Sequence, residues 1–338
     1  MKILRTIADF EQIRPGCVLS IGNFDGVHLG HQEILTAASG IARQRNAEIV
    51  ALTFEPHPVA ILYPERAPGV LTPLPLKLNL LQDYADDCVI VLEDSKELLC
   101  LGPEDFVDKF LAETIKPAVI VEGDDFNFGA ARKGDIETLK ELGARKGFEV
   151  FVVGSRRIQL ATGQTLRVSS TMIRYMLESG HVSEAAVALS RPYRLVERIT
   201  TGRGKGKELG FPTLNMQKPK QIIPAEGVYA GFVEMADSQE HILKNEEHIP
   251  AVFSIGQART FGDEHPLLIE AHLLTGQARD ASEQWMAMDF VQRIRSQHKF
   301  TTPEELSRQI AKDCEQARAI LAKGKRRTNE VFGRRAQP

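Results

Sequence analysis

The chain is poor in cysteine. Only Cys17, Cys88, Cys100 and Cys314 occur in 338 residues, and no two have a C-x-x-C spacing. That scatter excludes a disulfide framework and a cysteine-built zinc site, and it predicts free thiols in a reducing compartment. Long apolar runs are also missing. Nothing approaches the roughly 20 residues that a helix needs to cross a bilayer. The N-terminus, Met1-Lys2-Ile3-Leu4-Arg5, has no secretory core and reaches Asp9 and Glu11 at once. A cytoplasmic chain with no membrane partner is the expectation. No charge sign dominates: 42 Lys and Arg face 45 Asp and Glu, for a formal net charge of −3. Such a molecule is not built as a whole for nucleic acid or an anionic surface. No internal repeat or low-complexity segment appears.

What is present fits a globular protein, with 43% hydrophobic and 26% charged residues and enough length for two domains. The first half alternates apolar runs with helix-period runs. Cys17 to Ile21, Ile49 to Phe54, Cys88 to Val91, Val119 to Val121 and Phe148 to Val153 read as strands. Helical patterns follow Ile34, lie between Leu76 and Tyr84 and between Phe106 and Ile115, and run from Asp135 to Lys146. This alternation predicts an α/β fold with a doubly wound parallel sheet, whose ligands sit beyond the carboxyl ends of the strands.

Near residue 190 the pattern changes. Tyr193 to Thr200, Val228 to Val233, Ala251 to Ile255 and Ile269 to Leu274 are short β-like runs with glycine between them, which predicts a small antiparallel β-barrel. Thr302-Pro303-Glu304-Glu305 predicts the capped start of a C-terminal helix carrying Leu306, Ile310, Ala317, Ile320 and Leu321. The basic stretch from Lys323 to Arg335 predicts a disordered tail. The expected organisation is residues 1–185, 186–323 and a tail of 324–338.

The densest signal is Gly22-Asn23-Phe24-Asp25-Gly26-Val27-His28-Leu29-Gly30-His31. It lies between a strand and a helix N-terminus, where unpaired N–H groups and the helix dipole favour anions. Two imidazoles there add donors for phosphate oxygens. A metal pair is the competing reading of His28 and His31. A second segment, Val168-Ser169-Ser170-Thr171-Met172-Ile173-Arg174, sets three hydroxyls before a helix and an Arg one turn on. It reads as a second anion cradle, with simple capping as the alternative. Thr53-Phe54-Glu55-Pro56-His57-Pro58 ends a strand, and Phe54 or His57 offers a ring to stack on a planar ligand. In the second half, Gly202-Arg203-Gly204-Lys205-Gly206-Lys207 alternates glycine with cations, as a phosphate-wrapping or merely flexible loop would.

His28-Leu29-Gly30-His31 resembles the His-x-Gly-His nucleotidyltransferase signature. Its extended form, with Ile-Ser-Ser-Thr-x-Ile-Arg matched at Val168 to Arg174, resembles the bifunctional riboflavin kinase/FAD synthetase family. Gly123-Asp124-Asp125-Phe126-Asn127-Phe128-Gly129 resembles that family's Gly-x-Asp-Phe-x-Phe-Gly segment, with Asn127 in place of the usual Arg and Glu122 where a small residue is usual. Leu209-Gly210-Phe211-Pro212-Thr213-Leu214-Asn215 resembles the riboflavin kinase motif Gly-Phe-Pro-Thr-Ala-Asn. Arg259-Thr260-Phe261-Gly262 and Arg295 with His298-Lys299-Phe300 are further pieces. The family's Asp-Phe and Asp-Leu-Tyr-Gly are absent from residues 275–285.

The resemblance implies the following. Riboflavin is phosphorylated to FMN with ATP, and FMN is adenylylated to FAD with a second ATP. His28 and His31 hold the triphosphate, and Ser170, Thr171 and Arg174 stabilise departing pyrophosphate. Gly22, Asn23, Phe24, Asp25, Gly26, Gly30 and Ser169 belong to the ATP site of the first half; Gly204, Lys205 and Lys207 serve ATP in the second. Phe54, His57, Pro58, Asp125, Phe126, Asn127, Arg295 and Phe300 lie near flavin. Thr213 and Asn215 are Mg²⁺ ligands, and Glu270 is the base that a hydroxyl nucleophile requires. Partners are riboflavin, FMN and ATP, with no nucleic acid, on a monomer or weak homo-oligomer. The alternative is a transferase making FAD only, with a weak or inactive kinase barrel.

Overall fold

The computed structural model describes residues 1–93, 95–160, 162–202, 204–244, 247–257, 267–275 and 284–331, with only the backbone for Lys205 and 324–331. The chain forms two compact units, Met1–Ser170 and Thr171–Pro338.

The first unit holds a six-stranded parallel sheet of β1 (Lys2–Leu4), β2 (Val18–Ile21), β3 (Ile49–Phe54), β4 (Cys88–Leu92), β5 (Val119–Gly123) and β6 (Glu149–Val153). The order is β1-β4-β3-β2-β5-β6. Strands β2 to β5 are buried throughout, as continuous apolar runs covered on both faces must be. Alternation along each strand supplies two cores. Leu19, Ile21, Leu52 and Ile90 face Phe106, Phe110, Leu139 and Leu142. Val18, Ala51 and Val89 face Leu35, Ala38, Leu78 and Leu81.

Helix α1 (Leu29–Arg45) begins where the His28 ring nitrogen accepts from His31 N–H, and it stops at left-handed Asn46. α2 (Leu74–Leu81) follows β3. α3 (Phe106–Ile115) is wound wider than an α-helix and closes with Lys116 N–H donating to Leu111 C=O at 2.7 Å. α4 (Ile136–Lys146) is capped by Asp135, which accepts from Thr138 N–H at 2.9 Å, and ends at Gly147 with φ of +86°. A hairpin of β7 (Arg157–Gln159) and β8 (Thr165–Arg167), which the sequence pattern did not suggest, completes the unit.

The second unit opens with α5 (Ser170–Glu178, continuing from the first) and α6 (Val182–Leu189). Its barrel comprises β9 (Tyr193–Thr200), β10 (Leu214–Met216), β11 (Gly227–Ala236), β12 (Ile249–Gln257), β13 (Leu267–Leu273) and β14 (Trp285–Arg295). These close in the order β10-β13-β12-β11-β14-β9, all antiparallel. Fully buried Tyr229, Phe253 and Phe290 fill the interior, with Phe253 and Phe290 centroids 4.9 Å apart in an edge-to-face arrangement. Gly231 is required there, because a Cβ would run into the Phe253 ring and the Asp289 carbonyl.

α7 (Pro303–Val331) lays Cys314, Ala317 and Leu321 on Val228, Ala230 and Val252. Its start departs from a regular capping box. Thr302 Oγ1 accepts from Glu305 N–H at 3.2 Å, but the Glu305 carboxylate reaches Thr301 rather than Thr302. The helix also runs past the point where the expected disordered tail begins. Straight-chain Lys and Arg are good helix formers, and a docked helix propagates at little cost once nucleated. The rest of the tail, 332–338, lies outside the described residues.

Candidate functional site

The first site begins at the end of β2. The chain turns through Phe24, Gly26 and Val27, all at positive φ, with Phe24 and Val27 buried. The turn is clamped from several sides. Asn23 C=O accepts from Thr53 Oγ1 at 3.0 Å, and Gly26 N–H donates to Thr72 Oγ1 at 2.9 Å. The Asp25 carboxylate accepts from the Leu71 and Thr72 N–H groups at 2.9–3.1 Å. Asp25 therefore braces the loop before α2, and its neighbourhood is one of buried backbone donors.

The turn delivers two imidazoles to the start of α1. His28 and His31 stack with ring centroids 3.6 Å apart and planes 16° from parallel. The Phe24 ring meets His31 edge-on at 5.3 Å. Two of the three motif glycines make room for these rings: a Cβ on Gly22 would stand 3.0 Å from Phe24, and one on Gly30 would stand 3.2 Å from His28. Ser170 Oγ donates to Asp25 C=O at 2.8 Å, so the second hydroxyl-rich segment begins against this turn. Ser169 precedes it, and Thr171 and Arg174 continue along α5.

Next to this turn, β3 ends on buried Phe54, and the loop after it carries His57, whose ring nitrogen accepts from Val59 N–H at 3.1 Å across Pro58. Lys77, on α2, is buried beneath it, with Nζ 3.3 Å from Phe54 C=O, 3.5 Å from Thr53 Oγ1 and 3.6 Å from the Glu55 carboxylate. Burial pushes its amine below the ordinary lysine range, while Glu55 and Asp25 pull it back up. Lysine in a helical pattern reads as surface, and the signal that Lys77 is buried is its place in the apolar run Leu74 to Leu81.

Beyond β5, Asp125 pairs with Arg167 at 2.5 Å, and Asn127 donates to Asp125 C=O at 2.6 Å. Phe126 and Phe128 stack with centroids 5.9 Å apart. Asp124 accepts from Ser155, whose hydroxyl holds the carboxyl below its ordinary range.

A second constellation lies in the barrel unit. β10 pairs with β13 so that Asn215 stands opposite Glu270. Thr213 Oγ1 is 3.3 Å from Glu270 Oε1. Gly202 presses its backbone on the Asn215 amide, and a Cβ at that position would overlap it. Thr213, Asn215 and Glu270 thus offer hydroxyl, amide and carboxylate oxygens in one place, a donor set that suits a hard cation such as Mg²⁺. The glycine–cation run is not an open loop throughout: Lys205–Glu208 makes a helical turn, closed by Phe211 N–H donating to Gly206 C=O at 2.8 Å. Gly204 precedes that turn at a φ of +74°, and Lys207 lies within it. The Lys205 side chain, residues 259–262 and most of the 275–285 departure lie outside the described residues.

Arg295 is anchored rather than loose. Its guanidinium makes a two-pronged bond to buried Asp313 of α7 at 2.7–3.1 Å and lies 5.8 Å from the Phe300 ring centre. Elsewhere in the barrel, Glu234, His248 and Asp289 bring ligand atoms within 4.8 Å of one another. Arg194 already bonds Glu234 at 2.7 Å and Asp289 at 2.6–2.8 Å, so a guanidinium supplies the positive charge there.

Comparison with known proteins bears on both units. The FAD synthetase family profile matches residues 10–172, and the riboflavin kinase profile matches 189–321. The bifunctional riboflavin kinase/FMN adenylyltransferase of Escherichia coli (strain K12) is 32% identical over 314 residues, covering 93% of this chain and 96% of that protein. Its Haemophilus influenzae counterpart is 32% identical over 321 residues, covering 95% and 99%. A crystal structure described as a macrolide-efflux protein from Streptococcus pneumoniae superposes with a TM-score of 0.79 at 26% identity, over 94% of this chain and 99% of that one. Two profiles in tandem, and relatives aligned almost end to end, leave no half of the chain unaccounted for: it belongs to the bifunctional riboflavin kinase/FMN adenylyltransferase family.

Proposed function

We infer that the chain makes FMN from riboflavin and ATP and then FAD from FMN and a second ATP, releasing pyrophosphate. It is a transferase with two activities, and the proposed division gives residues 1–185 the adenylyl transfer and 186–323 the phosphoryl transfer. One observation supports two working sites above the alternative of FAD synthesis alone: the barrel unit keeps Thr213, Asn215 and Glu270 together, while the stacked His28 and His31 belong to the other unit.

In the first site, an FMN phosphate oxygen attacks the α-phosphorus of ATP and the bond to pyrophosphate breaks. The nucleophile is already an anion, so the protein has to supply position and charge rather than a base. His28 and His31 hold the triphosphate at the start of α1, where the helix dipole adds to them. Ser169, Ser170, Thr171 and Arg174 take the charge that gathers on pyrophosphate. Gly22, Asn23, Gly26 and Gly30 keep the backbone close. Phe54, His57, Pro58, Asp125, Phe126 and Asn127 form the flavin side.

In the second site, the nucleophile is a neutral ribityl hydroxyl attacking the γ-phosphorus. Glu270 accepts its proton as the bond forms and ADP leaves. Gly204, Lys205 and Lys207 serve the phosphates, and Arg295 and Phe300 serve the flavin. Thr213 and Asn215 are the residues that would hold Mg²⁺, which neutralises phosphate charge when bound. We place the enzyme in the cytoplasm, as a monomer or weak homo-oligomer without nucleic-acid partners. Incubation with riboflavin, ATP and Mg²⁺, followed by separation of the flavins, is expected to give FMN and then FAD. Folded protein that yields neither refutes the assignment.

A further inference from the structure

β2 is the point where the sheet's connectivity reverses, with β3, β4 and β1 on one side and β5 and β6 on the other. In such sheets the strands part at this point and the ligand crevice opens there. The parting is visible in the register. β2 pairs with β3 from Val18 to its last residue, Ile21. It pairs with β5 only at Val18 and Leu19. β5 itself continues, paired with β6 through Glu122 and Gly123. Ile21 therefore turns an N–H into the gap where no β5 backbone partner stands. The Glu122 side chain fills that gap: Oε1 accepts from Ile21 N–H at 2.5 Å, in a residue only 3% exposed. Burial pushes this carboxyl well above its ordinary range, so an uncharged acceptor suits the position. Ile21 is followed at once by Gly22 and the turn that carries His28.

We propose that Glu122 is a positioning residue for adenylyl transfer, its carboxyl replacing the absent β2–β5 backbone bond and fixing the end of β2 beneath the triphosphate turn. The inference rests on the adenylyltransferase reading of that site. Glu122 touches no substrate in this scheme. It acts through Ile21 and Gly22, which set the height of the turn.

The test compares Glu122→Gln, Glu122→Val and Glu122→Asp in the full-length chain, with kcat and the KM for ATP measured separately for FAD formation and for FMN formation. Glu122→Gln keeps an acceptor of the same reach and is expected to stay within about threefold of the parent. Glu122→Val removes the acceptor of a buried N–H and is expected to lower kcat/KM for ATP in FAD formation about 10- to 100-fold, mainly through KM. FMN formation, made in the other unit, is expected to stay within about twofold, and circular dichroism with a urea midpoint checks that the unit carrying Glu122 is folded in each variant. Glu122→Asp, one methylene shorter, is expected to follow the Val variant and serves if that variant does not fold. Parental FAD kinetics in the Val and Asp variants overturn the proposal. So does equal loss in Gln and Val, or parallel loss of both activities. An unmodified chain that makes no FAD refutes the underlying assignment instead.

Discussion

At the scale of single residues, the two constellations use different chemistry, and substitution separates them. His31→Ala removes one of the two stacked imidazoles that the proposed scheme sets on the triphosphate. It is expected to cut FAD formation from FMN about 10²- to 10³-fold while FMN formation persists. Glu270→Ala removes the carboxylate beside Thr213 that the proposed scheme uses as base, and is expected to cut FMN formation about 10²- to 10⁴-fold, leaving FAD formation from supplied FMN intact. Chromatography of flavins from each variant checks both. Loss of both activities in either folded variant contradicts two separate sites. The buried thiols carry no such role: burial pushes Cys17 and Cys88 up to about 12, which keeps both protonated and unreactive at neutral pH.

Residues also mark the limit of what the sequence disclosed. The Gly22 to His31 run was legible because glycines, rings and a helix start must coincide for it to work. Thr213, Asn215 and Glu270 were legible only through family resemblance, since their meeting depends on the pairing of β10 with β13. Lys77 and Glu122 were not legible as buried groups, because a single charged letter does not reveal that a neighbouring backbone atom compensates its burial.

At the scale of elements, continuous apolar runs identified the central strands of the sheet, and short β-like runs between glycines identified four of the six barrel strands. Short pieces escaped. β1, β7, β8 and β10 have three residues each, too few to show a period. The widened winding of α3 leaves the apolar spacing of an ordinary helix nearly unchanged. Helix caps and loop clamps give a testable acid response. Asp135 accepts from Thr138 at the start of α4, and Asp124 accepts from Ser155 beyond β5. Both carboxyls are held below their ordinary range when folded, Asp135 mainly by the Thr138 N–H and Asp124 mainly by the Ser155 hydroxyl. Their contribution is therefore present above the unfolded value of about 3.9 and lost as pH falls through the lowered folded values. Urea unfolding at pH 7 and pH 3 is expected to show lower stability in acid, and Asp135→Asn, which keeps an acceptor that does not titrate, is expected to flatten that slope. An unchanged slope in the variant removes Asp135 from the account.

At the scale of the whole molecule, each compact unit has its own buried core, and the proposed scheme gives each its own reaction. On that scheme, FMN made by one copy of the chain is expected to be available to another. A mixture of the His31→Ala and Glu270→Ala proteins, given riboflavin and ATP, is expected to form FAD although neither does so alone. Failure of the mixture, with both proteins folded and each retaining its remaining activity, indicates direct transfer within one chain.

The closure of β9 to β14 has a consequence for how this protein meets its neighbours in a crowded solution. Among the described residues, a ring of strands bonded all the way round presents no open row of amides and carbonyls for a stray peptide to zip onto. The parallel sheet keeps two outer margins, three-residue β1 and the half-exposed β6, where Phe151 stands in solvent. Misassembly by strand addition is therefore expected to start on the adenylyl-transfer half, at β6, with the kinase half as bystander.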